Sequence, residues 1–160
     1  MEAVTINTPT PWLAGFVHRW HAGTSAPWLA YTNDRIDGHG GRMAVLALHF
    51  WPDCSRDLLA ACVTHDLGEY VAGDLPWSSK NEMDCETYEA FDSIEGLARR
   101  HMGMEFHPYD RRDHARLKFL DRLDAYLWAQ HHAPQLMGRD DWIKSREWLE
   151  REAVEMGVGL

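Results

Sequence analysis

The stretch Thr64-His65-Asp66-Leu67-Gly68-Glu69-Tyr70 sets an imidazole beside a carboxylate, with a second carboxylate three residues further on. It follows the apolar run from Leu58 to Val63, so His65 and Asp66 fall at the end of a helix otherwise suited to a core. Burying both side chains there without a partner is costly. A divalent cation meets that cost for the two together. Glu69 comes four residues after His65 and three after Asp66, which at helical spacing puts it on the same face. A mixed nitrogen and carboxylate shell suits Mn, Fe, Co or Zn better than a thiolate shell would.

Two more ligands must come from elsewhere in the chain. His39 opens the preceding helix beside Gly38, Gly40 and Gly41, whose missing side chains would let it approach a metal closely. Asp121 lies in the middle of an apolar helix running through Leu117, Leu120 and Leu127, where packing alone does not explain a carboxylate.

The set His39, His65-Asp66 and Asp121 resembles the H…HD…D signature of the HD-domain metal-dependent phosphohydrolases. His65-Asp66-x-x-Glu69, then Gly73-Asp74-Leu75-Pro76, then Lys80, is similar to the stretch HD-x-x-E, GD-[LI]-P and K of the bacterial 5′-deoxynucleotidases and the related phage dATP triphosphohydrolases. Arg19-Trp20 resembles their N-terminal RW pair, and Lys118-x-x-Asp121 their K-x-x-D. The likeness covers about residues 16 to 130. The interval between the first His and the HD pair is shorter than is usual in the family. Trp77-Ser78-Ser79 stands where relatives often carry a second proline.

The resemblance implies an all-α HD-domain bundle with a divalent metal held by His39, His65, Asp66 and Asp121. It implies that Glu69 and Asp74 orient or deprotonate the attacking water, work that needs a carboxylate within hydrogen-bond reach. Arg19, Lys80 and Lys118 would neutralise phosphate oxygens as charge builds. Trp20 would pack on the sugar and leave little room for a 2′-hydroxyl. The substrate class implied is a deoxynucleoside 5′-phosphate attacked at the α-phosphorus. A monophosphate would release phosphate and a triphosphate would release tripolyphosphate, the second favouring additional Mg²⁺.

These residues need helices to position them, and helical periodicity dominates the chain. Thr10-Pro11 reads as a cap and first helical proline, with Trp12, Leu13, Phe16, Val17 and Trp20 on one stripe. Asn33 through Gly41 is turn-rich, and a helix is expected from about His39 to His49. The next starts near Ser55 or Arg56, sends Leu58, Leu59, Cys62, Val63 and Leu67 inward, and breaks at Gly73-Asp74-Leu75-Pro76. A helix from about Asp84 to Met102 should bury Tyr88, Phe91, Ile94 and Ala98. Another, from about Asp113 to Ala133, should bury Leu117, Leu120 and Leu127 and end at Pro134. The last spans roughly Asp140 to Met156. No segment alternates with period two for long enough to be a strand.

The 160 residues fit one domain, 45% of them hydrophobic and 26% charged, which excludes disorder. A net charge of −9 argues against a grip on long nucleic acids. Cys54, Cys62 and Cys85 form no paired framework and read as reduced thiols of a cytoplasmic protein. No stretch reaches the roughly 20 apolar residues of a membrane span. His131-His132 and the pair His18 and His21 sit beside no buried carboxylate and read as surface or packing residues. The eight tryptophans read as core or subunit contacts, and a homo-oligomer is expected. The rival readings are a non-catalytic nucleotide-binding regulator on the same bundle and a purely structural helical module.

Overall fold

The computed structural model describes residues 7–20, 27–75, 80, 82–108 and 110–160. Among them the regular elements are helical, with one isolated antiparallel bridge between His18 and Arg35. In chain order they are α1 (Thr10–Ala14), α2 (Ile36–Phe50), α3 (Arg56–Thr64), α4 (Glu69–Ala72), α5 (Cys85–His101), α6 (Arg111–His132), a 3₁₀ turn (Pro134–Leu136) and α7 (Asp140–Met156). No helix among the described residues is long and apolar enough to cross a membrane. Pro76, the segment Trp77-Ser78-Ser79 and His21 lie outside the described residues.

Local chemistry sets the helix starts. Ser55 caps α3 by accepting from the Leu58 amide at 3.0 Å, and its hydroxyl donates to Asp113 on α6 at 2.7 Å. Asp84 caps α5 through the Thr87 amide, and Asp110 caps α6 through the Arg112 amide. Gly157, at φ 68°, ends α7 in the left-handed conformation that glycine adopts freely.

Helix α6 is the central strut. It packs on α2, α3 and α7, and its Phe119, Leu120 and Leu123 meet Met43 of α2, Leu58 of α3 and Leu149 of α7 in one buried cluster. Cys62 is buried in the same cluster, and the three cysteines are free thiols. Helices α4 and α5 pack on each other.

Four sequence expectations give way. Helix α1 stops at Ala14, so Trp12, Leu13 and Phe16 are exposed and Trp20 lies beyond any helical stripe. Helix α2 begins at Ile36, inside the stretch expected to turn, because Arg35 is the last extended residue and Gly40, in the first turns, lies against the backbone of α3. Val63 and Leu127 are exposed, since each faces away from the seam between α3 and α6. Tyr88 and Ile94 of α5 are exposed too, and the residue that α5 buries is Glu95.

A fifth change matters most for the site: the helix carrying His65 does not run on to Glu69. Residues 65 to 68 form a tight turn, with the Leu67 amide donating to the Thr64 carbonyl and the Glu69 amide to the Asp66 carbonyl. A side chain at Gly68 would collide with the backbone of Glu95, so only glycine lets this turn lie against α5. Arg99 of α5 donates to the His65 carbonyl at 2.7 Å and satisfies it.

Candidate metal centre

Three separate segments bring four side chains to one point. His39 sits in the second turn of α2 and is fully buried. Its neighbour Gly40 faces α3, where a Cβ would come within 2.9 Å of the Cys62 carbonyl oxygen and 3.0 Å of Val63 Cα. The absent side chain lets α2 and α3 close until the His39 and His65 ring centroids stand 5.3 Å apart. His65 follows the last residue of α3, and its Nδ1 lies 3.2 Å from the Cys62 carbonyl oxygen, which leaves Nε2 directed at Asp66 and Asp121. Asp66 belongs to the tight turn, and Asp121 comes from α6.

His39 Nε2 is 3.2 Å from Asp121 Oδ1 and 3.5 Å from Asp66 Oδ2. His65 Nε2 is 3.2 Å from Asp66 Oδ1 and 4.0 Å from Asp121 Oδ1. Both nitrogens are buried, and neither makes a hydrogen bond of acceptable geometry. Ligands each about 2.1 Å from one ion sit about 3–4 Å from one another, the spacing observed here. One ligand atom each from His39, His65 and Asp121 lies within 4.8 Å of the other two, so this group can hold a metal ion. Asp121 keeps 49% of its side-chain surface exposed and opens the cluster to solvent.

The electrostatics favour a cation. Desolvation works against ionisation of Asp121, yet His39, His65 and Arg19 hold its carboxyl well below the usual range. Burial and Arg19 oppose a proton on His39, yet Asp121, Asp124 and Asp66 outweigh them and raise it to about 9. A metal held at Nε2 would compete with that proton, so its binding would strengthen as pH rises toward that value.

The other predicted residues surround this point in different ways. Glu69 is 3% exposed, with Oε2 buried and unpartnered and Oε1 4.0 Å from Lys80 Nζ. Burial, then the charges of Asp66 and Asp74, push its carboxyl up to about 10. Asp74 Oδ2 accepts from the Trp20 backbone amide at 2.9 Å, so this carboxylate anchors a loop while its charge acts on Glu69. Trp20 has φ 66°, a strained value for a bulky residue, and its indole Nε1 donates to Asp34 at 2.8 Å. Arg19 is buried and bound to Asp34 at 3.1 Å, with Asp124 at 3.6 Å. Lys118 is exposed on α6, about one turn before Asp121, and is not gathered into the cluster.

Sequence reasoning missed Asp34, Arg42 and Asp124. Asp34 is fully buried and accepts from Arg19, Trp20 and Arg42. Nothing in its turn-rich neighbourhood marks it. Asp124 carried a readable signal, because it lies three residues after Asp121 on the same apolar helix, and it is the more deeply buried of the two. His131 and His132 are exposed at the end of α6, where His132 stacks on Trp128. No protein-family model, curated protein or solved structure matches this chain.

Proposed function

We propose that this protein is a divalent-metal-dependent phosphohydrolase of the HD type that attacks the α-phosphorus of deoxynucleoside 5′-phosphates. The observation that carries the reading is the pair of buried, unsatisfied Nε2 atoms of His39 and His65, converging with Asp66 and Asp121 beside the buried carboxyl of Glu69. A bound divalent ion would supply Lewis acidity toward a phosphoryl oxygen and acidify the attacking water. Glu69 Oε2 has no other hydrogen-bond partner and takes the water's proton. Arg19 and Lys80 contribute positive charge beside the reacting phosphate, while Asp74 and Asp34 hold the Trp20 loop that borders the sugar. Lys118, exposed one turn before Asp121, would contribute charge only by extending its flexible stem toward the site.

The test is metal analysis of the purified chain, followed by ribo- and deoxynucleotides, mono- through triphosphate, assayed with Mn, Co, Zn and Mg. Stoichiometric metal and release of a deoxynucleoside are expected. Metal with nucleotide binding but no turnover would make the protein a regulator. Absence of metal would leave a structural module.

Trp20 supplies the second measurable expectation. Its indole is pinned at the edge by Asp34, so a 2′-hydroxyl against the ring would lose water and gain no partner. That costs about 1–3 kcal/mol, so a deoxy preference of roughly ten- to a hundredfold is expected. Trp20→Ala should lower the ratio of deoxy to ribo kcat/KM toward one. Equal loss on both sugars would remove Trp20 from sugar recognition.

A further inference from the structure

On the other side of His39, facing away from the cluster, Nδ1 lies 2.7 Å from Asp124 Oδ2, with both residues buried. The carboxylate is held in turn. Arg42 Nε donates to Asp124 Oδ1 at 2.7 Å and Nη2 to Oδ2 at 2.9 Å, a two-point grip that fixes the plane of the carboxylate. The Arg42 guanidinium lies over the Trp128 ring at 4.3 Å, and the Trp128 indole donates to Thr32 at 3.0 Å. Arg42 also donates to the fully buried Asp34 at 2.7 Å.

We infer that Asp124, clamped by Arg42, is a positioning residue that fixes His39 as the Nδ1–H tautomer and so delivers the Nε2 lone pair to the metal. This rests on the metal-centre reading and adds to it a residue that touches neither metal nor substrate. A carboxylate hydrogen-bonded behind an imidazole fixes its tautomer and ring orientation and raises its basicity as a ligand. A carboxylate free to turn would hold the ring less firmly. The clamp is chemically specific, because lysine at position 42 keeps the charge but cannot make the two-point contact.

The test uses the full chain stripped of metal and titrated with Co²⁺, whose visible absorption reports both affinity and ligand geometry. Asp124→Asn should weaken Co²⁺ binding by roughly ten- to a hundredfold, the usual scale for losing such a partner, and Arg42→Lys by less. A purely structural role would lower the thermal midpoint of the stripped protein and leave the Co²⁺ dissociation constant and spectrum unchanged. That result in a folded variant overturns the inference. Should Asp124→Asn fail to fold, long-range ¹H–¹⁵N histidine spectra of the Zn²⁺-loaded wild type decide the matter. A protonated, exchange-protected Nδ1 on His39 supports the assignment, and a bare Nδ1 overturns it. Wild-type protein that binds no Co²⁺ removes the metal centre itself, an outcome distinct from either.

Discussion

His65→Ala and Asp66→Ala are each expected to abolish the proposed metal binding and, with it, the proposed nucleotide hydrolysis. Each variant removes one donor from a group of four and leaves the opposing atoms without a counterpart. Without His65, Asp66 Oδ1 loses the nitrogen 3.2 Å away; without Asp66, both imidazole Nε2 atoms lose a carboxylate oxygen. The metal-free fold should survive both changes, because the half-buried turn carrying His65 and Asp66 is held by backbone hydrogen bonds and by Arg99. Removing Asp66 also takes one negative charge from a site that crowds Glu69 and Asp74. The thermal midpoint separates the possibilities. Added metal should raise it in the wild type, as any ligand of the native state does, and leave it unmoved in the variants. Stoichiometric metal in both purified variants would place the centre elsewhere.

How far the chain could be read follows from what each signal depends on. His65, Asp66 and Glu69 were legible because polar residues interrupt an apolar run within one short segment, and local spacing needs no tertiary knowledge. Their helical continuity was not legible. The tight turn after Thr64 depends on α5 pressing against Gly68, a contact between segments far apart in sequence. Asp121 was found by the oddity of a carboxylate in an apolar helix, yet it is half exposed, and the same oddity three residues later marks the buried Asp124. Periodicity shows that a helix has two faces; which face is covered depends on what packs there. Hence periodicity puts Tyr88 and Ile94 on the inward face of α5, whereas its buried residue is Glu95, drawn in by the approach of Gly68. Trp20 fell on the extrapolated stripe of α1, but two carboxylates, Asp34 and Asp74, pull its indole and backbone into a separate loop.

Glu69→Gln is expected to keep both fold and metal while lowering turnover by roughly 10²-fold or more, the usual scale for removing a positioned base. Glutamine preserves the volume of a side chain that is 3% exposed, so no cavity opens. What changes is the capacity to accept a proton. In the metal-free protein burial, Asp66 and Asp74 raise this carboxyl to about 10, so the folded chain retains a proton that the unfolded chain gives up above its ordinary value of 4.5. Folding is therefore penalised as pH rises from 4.5 toward 10, and Glu69→Gln should raise the thermal midpoint of stripped protein at neutral pH. A divalent ion held by His39, His65, Asp66 and Asp121 would add two positive charges nearby and would favour the ionised, proton-accepting form of Glu69. Lys80, 4.0 Å from Oε1, acts in the same direction. Three measurements on one variant settle the role: metal content, kcat with saturating deoxynucleotide, and the thermal midpoint with and without metal. Full metal with turnover lost assigns Glu69 to the proton. Metal lost along with turnover places Glu69 among the ligands and leaves Asp74 as the base. Unchanged turnover removes it from the reaction.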